Sequence, residues 1–523
     1  MECLPGKIAY ELAQCPKPNI DEKHPLSRSP MNRNFLPILA TCLAASATTP
    51  LLAAVKPCSL FSDGAVLQRE MPVPVWGTAA DGEKVTVKFH GQEVSAVAKE
   101  GRWMVELEPM EAGGPLTMTI SGDNVVEIKN IMIGEVWICS GQSNMEIPVA
   151  ECETPEEAIA SSEDSMMRLF NVPKVPIPPN HIGPIPEMTT QWAECTPDTA
   201  AKFSGVGYFF GRKLREALNV PVGLINISYG GSYAALWMDS KTLTEVAGGG
   251  TYRNGWLYDS MLMPLQPYAI RGVIWYQGES DADNSLRYRK AFPALIKNWR
   301  DDWKQGDFPF LFVQLTGFNF YNKEVASEPQ EQTTWAELRE AQAMTAASVP
   351  NTAMVVTTDL GSPENVHPIR KKEVGDRLAM AASGMVYGKD VSYRSPEFRE
   401  MKIEDGKATV VFSNAEGGLV ADGEPVAGFT IAGEDRKFYN ADALVMGDRV
   451  TVSTSEVPHP VAVRYGWANY PLTSLFSQTG LPAAPFRTDD FPLIKCKKCR
   501  SLNGKGITNG ICNECGGDAE EYK

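Results

Sequence analysis

Between Ile131 and about Val391 the chain alternates near-continuous apolar runs with amphipathic stretches, and that rhythm limits the fold more than any other feature. The runs are EVWICS, VGLINIS, RGVIWYQ, FLFVQL and TAMVVTT. The stretches include GVGYFFGRKLREALN, SLRYRKAFPALIKNWRDDW, AELREAQAMTAASV and IRKKEVGDRLAMAAS. A strand that is apolar on both sides must be covered on both sides, and a helix-length stretch between strands supplies the crossover that parallel pairing requires. The expectation over 130–390 is therefore an α/β domain: a parallel sheet with helices on both faces, in three layers.

At 523 residues the chain exceeds what one hydrophobic core usually serves, and the flanks differ in texture. Residues 55–129 alternate polar and apolar positions, broken by the turn pairs Asp81-Gly82, His90-Gly91, Glu100-Gly101 and Gly113-Gly114. Short strands punctuated in this way read as an antiparallel β-domain. The same texture returns over 391–492, giving a second β-domain. A formal net charge of -15 argues against nucleic acid or an anionic membrane as partner, because both call for clustered cations.

At the other end, Met31-Asn32-Arg33-Asn34 precedes an apolar stretch that exits in small residues before Val55. Residues 31–54 have the form of a secretory signal peptide, with a disordered tail or tethered anchor as the alternative. Residues 1–30 lie upstream of the usual signal position and read as a non-native or mis-assigned extension. A periplasmic or secreted protein is expected. Cys152 and Cys195 either pair after export or stay as thiols.

In an open parallel sheet, ligands bind beyond the carboxyl ends of the strands. The run EVWICSGQSNM puts Ser140 to Asn144 at such an end, where Gly141 permits a sharp turn and Ser143 projects into the crevice with its own amide near an oxyanion. Met145 stands where the G-x-S-x-G elbow needs glycine, so a different serine-hydrolase architecture is required. Taken alone, Ser143 reads equally as a helix N-cap. Of the five histidines, His367 follows an apolar strand and precedes a helix, which puts it beside the same crevice as candidate base. Two more strand ends carry Gly230 and Gly231, and then Gln277, Gly278 and Glu279. A backbone amide at Gly231 and the side-chain amide of Gln277 are candidate oxyanion donors, while Glu279 can hold neighbouring loops. Trp237, Trp275 and Tyr276 are candidates for a pocket selecting short acyl groups, or for core.

The ordered segments SGQSNM, GLINISYGG, LYDSMLMPL, GVIWYQGES, LREAQ, VHP and RTDDF resemble the sialate O-acetylesterases, carbohydrate esterases of the SGNH-hydrolase superfamily. The likeness runs from about Pro57 to Pro492. It implies a flavodoxin-like catalytic domain flanked by β-domains, which removes acetyl groups from sugar hydroxyls by a serine mechanism. Carried onto matching positions, Ser143 is the nucleophile and His367 the base, with the amides of Ser143 and Gly231 and the side chain of Gln277 as oxyanion hole. Members of the superfamily often carry Asp three residues before the histidine. Here Glu364 stands at that place, with Asp359 or a backbone carbonyl as alternatives. No catalytic cofactor is expected, and the partner is an acetylated sugar or glycan. The rivals are an acetylxylan-type esterase and a non-catalytic glycan-binding protein with a degenerate hydrolase core.

The resemblance does not reach 493–523. There Cys496 and Cys499 are separated by twelve residues from Cys512 and Cys515. Two C-x2-C knuckles on a Gly-containing hairpin suit a zinc ribbon, a purely structural site because all four ligands come from protein. Disulfide pairing is the alternative outside the cytoplasm.

Overall fold

The structure, a computed structural model, describes residues 54–174, 190–247, 255–319, 334–423 and 425–491, together with the backbone of four short strands, 493–496, 507–508, 511–512 and 519–522. The first strand of the central sheet, β1 (Val125–Gly141), is 17 residues long and runs through position 130 without a break. Its first half pairs antiparallel with Gly113–Ser121, and part of it pairs parallel with Val66–Gln68. Its second half is buried on both faces, and is flanked by two parallel neighbours.

Five further strands share its direction: β2 (Asp164–Asn171), β3 (Val222–Asn226), β4 (Gly272–Tyr276), β5 (Phe310–Val313) and β6 (Thr352–Val355). They lie side by side in the order β2-β3-β1-β4-β5-β6, and Ala193–Cys195 adds an antiparallel edge beside β2. With the N-terminal strands joined through β1, the sheet has eleven strands. The expectation of a flavodoxin-like parallel sheet is thus met only in coarser form. The sheet is mixed; within it β3-β1-β4-β5-β6 follow the 2-1-3-4-5 order of flavodoxin, and β2 is an additional strand outside β3. The mixed pairing follows from the length of β1: its first half pairs antiparallel with Gly113–Ser121, Met132–Gly134 pair parallel with Val66–Gln68, and its second half pairs parallel with β3 and β4.

Helices α1 (Gly205–Leu218) and α4 (Lys371–Met385) cover one face, where Trp137 of β1 meets Phe210 edge-on at 5.1 Å. The other face is covered by α2 (Ser285–Trp303) and α3 (Thr334–Ser348). There the Trp275 ring of β4 packs 5.8 Å from Trp299 and 6.1 Å from Phe292. Glu135, an acid in the middle of an apolar run, is fully buried between the guanidinium groups of Arg69 at 2.6 Å and Arg271 at 2.7 Å. Such a carboxylate persists in the interior because both charge and hydrogen bonds are matched.

A second core, with Val410, Phe412, Phe429, Ile431, Val450 and Tyr465, lies within antiparallel strands after residue 396. This segment docks on α3 through Arg487, 2.7 Å from Glu340, and through the buried Arg339, which donates to the carbonyl oxygen of Ala468.

Candidate active site

Ser143 opens a one-turn helix, Ser143–Glu146, directly after β1. Gly141 makes this approach possible. Its φ is +137°, and a Cβ there would lie 2.1 Å from the carbonyl oxygen of Tyr276, so any side chain would push apart the two central strands. Gln142 then anchors the turn. Its backbone N–H donates to the Tyr276 carbonyl at 3.0 Å, and its buried side-chain oxygen accepts from the N–H groups of Gly278 at 3.4 Å and Ser280 at 3.2 Å. Ser143 itself stays half-buried at the crevice.

His367 arrives from the loop between β6 and α4. Its Nε2 lies 2.8 Å from Ser143 Oγ, although the two residues are 224 positions apart. Its backbone N–H donates to Asn365 Oδ1 at 2.9 Å, which shapes the loop locally. Burial, and then the nearby Lys371 ammonium, push the imidazole below its ordinary value, with Glu151 pulling the other way. An imidazole held neutral at neutral pH can take a proton from the hydroxyl it touches.

Neither carboxylate weighed as third member reaches the ring. Glu364 is exposed, and among the described residues its only bond runs from its backbone N–H to Ser362 Oγ at 3.3 Å. Asp359 is held by Arg377 through two bonds of 2.7 and 2.6 Å.

The three expected oxyanion donors part company. The backbone N–H groups of Ser143 and Gly231 have no acceptor among the described residues, and Gly231, at φ +72°, is exposed. Gly230 lies closer to the serine, and a Cβ there would stand 3.6 Å from that of Ser143. Its own N–H is engaged with Glu146 Oε2 at 2.5 Å. Gln277 is fully buried, and its Nε2 donates to the Ser232 carbonyl at 3.1 Å and to Asp281 Oδ2 at 2.8 Å. Both amide hydrogens are therefore engaged by buried protein acceptors. Trp237, Trp275 and Tyr276 are all fully buried, which makes them core.

Behind the serine and histidine lies a polar network in which the sequence reading names Glu279, as a holder of neighbouring loops, and misses Asn144 and Lys371. Asn144 is fully buried; its Nδ2 donates to Glu279 Oε1 at 2.6 Å and to the carbonyl oxygen of Val366 at 2.9 Å, and its Oδ1 accepts from Lys371 Nζ at 2.5 Å. Burial pushes the Lys371 ammonium down to about 8, against the opposing pull of Glu279 and Cys152. Burial pushes Glu279 up, opposed by its hydrogen bonds and by Lys371. Asn144 lay in plain view beside Ser143, but Lys371 sits in a Lys-Lys pair at a helix start and reads as a solvated charge.

Cys152 and Cys195 are free, buried thiols pushed up to about 12 by burial, and so are poor nucleophiles. Among the described residues no group of three His, Cys, Asp or Glu could hold a metal ion, and no helix is long and apolar enough to cross a membrane. The side chains of Cys496, Cys499, Cys512 and Cys515, and the leader-like stretch up to residue 53, lie outside the described residues.

Comparison with known proteins points one way. A family model described as carbohydrate esterase, sialic acid-specific acetylesterase, matches residues 133–383. The sialate O-acetylesterase of Mus musculus is 26% identical over 504 residues, covering 80% of this chain and 92% of its own. That of Homo sapiens is 29% identical over 381 residues, covering 65% and 72%. The crystal structure of a carbohydrate acetylesterase from Xanthomonas citri superposes with a TM-score of 0.77 at 38% identity, covering 84% of this chain and 100% of that one.

Proposed function

The chain belongs to the sialic acid-specific acetylesterase family of carbohydrate esterases and is a carboxylic ester hydrolase, and on that premise we propose that it is an SGNH-type serine esterase removing O-acetyl groups from sialic acid or a related glycan. Ser143 is the nucleophile and His367 the general base. The observation that carries this reading is the 2.8 Å separation between Ser143 Oγ and His367 Nε2 at the carboxyl end of a central strand.

The imidazole takes the hydroxyl proton as Oγ attacks the acetyl carbonyl, giving a tetrahedral intermediate. Its oxyanion is held by the N–H groups of Ser143 and Gly231, which have no acceptor among the described residues. The imidazolium then protonates the departing sugar oxygen, leaving an acetyl-enzyme. Water, activated by the same ring, attacks that ester and releases acetate. Every step is proton transfer and acyl transfer within this chain's own residues. The leader-like segment 31–54 supports a periplasmic or secreted location.

The acetylated sugar is the open variable, because the relative at 38% identity is described by the broader term carbohydrate acetylesterase. The test is acetate release from O-acetylated sialic acid and from acetylated xylan by the wild type and by Ser143→Ala. Loss of more than about 10³-fold in the variant is expected, since removing such a nucleophile leaves only binding and oxyanion contributions. Equal turnover by both proteins would remove the nucleophile assignment.

A further inference from the structure

We propose that Lys371 is a positioning residue for this hydrolysis: by holding the Asn144 amide in one orientation it ties the His367 loop to the nucleophile's helix, the part a carboxylate plays in a three-membered triad. The inference rests on the assignment of Ser143 and His367 made above.

The need for such a device follows from the geometry. A base that must accept and return a proton has to be held against rotation and drift, normally by a group bonded to its far nitrogen. Here Glu364 points to solvent and Asp359 is engaged by Arg377. What holds the histidine instead is backbone. The carbonyl of Val366, in the peptide unit immediately before His367, accepts from Asn144 Nδ2 at 2.9 Å, and Asn144 directly follows Ser143. One side chain therefore spans 222 positions of sequence and joins the two reacting groups.

That link works only if the amide faces the right way. An ammonium can only donate, and an ionised carboxylate or a carbonyl can only accept. With Lys371 Nζ on one side of Asn144 and both Glu279 Oε1 and the Val366 carbonyl on the other, a flipped amide would set N–H against ammonium and oxygen against two acceptors. Lys371 and Asn144 are both fully buried, so water cannot stand in for a lost partner. Lys371 lies 5.4 Å from the centre of the Tyr276 ring, beside Cys152 and Glu279. The charged groups that act on the imidazole are Lys371 and Glu151; on its own segment Glu364 is exposed and Arg370 is paired with Glu373.

The experiment compares wild type, Ser143→Ala, Lys371→Met and the double variant Lys371→Met/Glu279→Gln, which removes both buried charges and serves if the single variant does not fold. Kinetic constants are measured across pH on folded protein, verified by circular dichroism. With Lys371 gone, kcat is expected to fall by about 10²-fold with KM unchanged, the scale of a catalytic group held slightly out of place. The acidic limb of kcat/KM, where activity is lost as the imidazole protonates, is expected to move to higher pH, because the cation that opposed protonation is absent. A structural role alone would lower the yield of folded enzyme while leaving kcat per folded molecule unchanged; the limb reports the charge of Lys371, and kcat at its plateau reports the hold on Asn144. A folded variant with plateau kcat within about 3-fold of wild type, under 1 kcal/mol of barrier, would overturn the proposal whether or not the limb moves, while an inactive Ser143→Ala left the catalytic reading intact. Full activity in Ser143→Ala would overturn both.

Discussion

Replacing Glu364 by glutamine tests how the histidine is supported. If this carboxylate were bonded to the imidazole, as its place three residues upstream suggests, neutralising it would cost about 10⁴ in kcat, or roughly 5.5 kcal/mol of barrier. The structure leads elsewhere. The side chain is exposed, and among the described residues only its backbone N–H is bonded, to Ser362. A solvated carboxylate can help a developing imidazolium only through water, where two unit charges 4 Å apart interact by about 1 kcal/mol before salt screening. That bounds the effect of Glu364→Gln at about fivefold in kcat. The assay is the initial rate of acetate release, with p-nitrophenyl acetate as a second substrate so that a binding effect on the glycan is separated from chemistry. A loss above about 10²-fold in a folded variant would exceed what solvent-mediated attraction supplies. It would mean that Glu364 does engage the ring, and that the backbone link through Asn144 is not the principal support.

Two further substitutions probe the ground on which the site stands. Gly141→Ala must place a methyl group 2.1 Å from the Tyr276 carbonyl at a φ of +137°. The strained backbone alone costs about 1–3 kcal/mol, and parting β1 from β4 adds a similar amount. Against a total of about 5–15 kcal/mol, the denaturation midpoint should fall steeply, and an unchanged midpoint would contradict the close approach of these strands. Gln277→Met removes the donor to Ser232 and Asp281. It should cost about 1–3 kcal/mol of stability with kcat per folded molecule little changed. A loss of about 10²–10³ in kcat at unchanged stability would instead return Gln277 to the oxyanion hole.

Much of the architecture could be read from the chain because burial leaves a local signature. Strands covered on both faces have to be apolar at successive positions, and EVWICS, RGVIWYQ and FLFVQL are β1, β4 and β5 for that reason. Ser143 was legible from Gly141 and the strand end before it. His367 was legible because few histidines exist and its neighbours put it at a second strand end. The mixed character of the sheet was not legible. The alternating first half of β1 and its apolar second half look like separate strands until pairing shows one continuous segment.

The roles of the polar residues around the site divide along the same line. Local pattern determined which segments are buried, where the chain turns, and which polar residues interrupt the strands at their carboxyl ends. It could not determine what each interruption touches. Gln277 and Glu364 stand at familiar offsets, yet one is engaged with Ser232 and Asp281 and the other faces water. Lys371, which has the look of a surface charge, is buried against an amide 227 positions away. Spacing along a chain encodes the face and period of a single element. The partner of a buried donor or acceptor depends on which distant elements the packing brings together, and only the tertiary structure decides that.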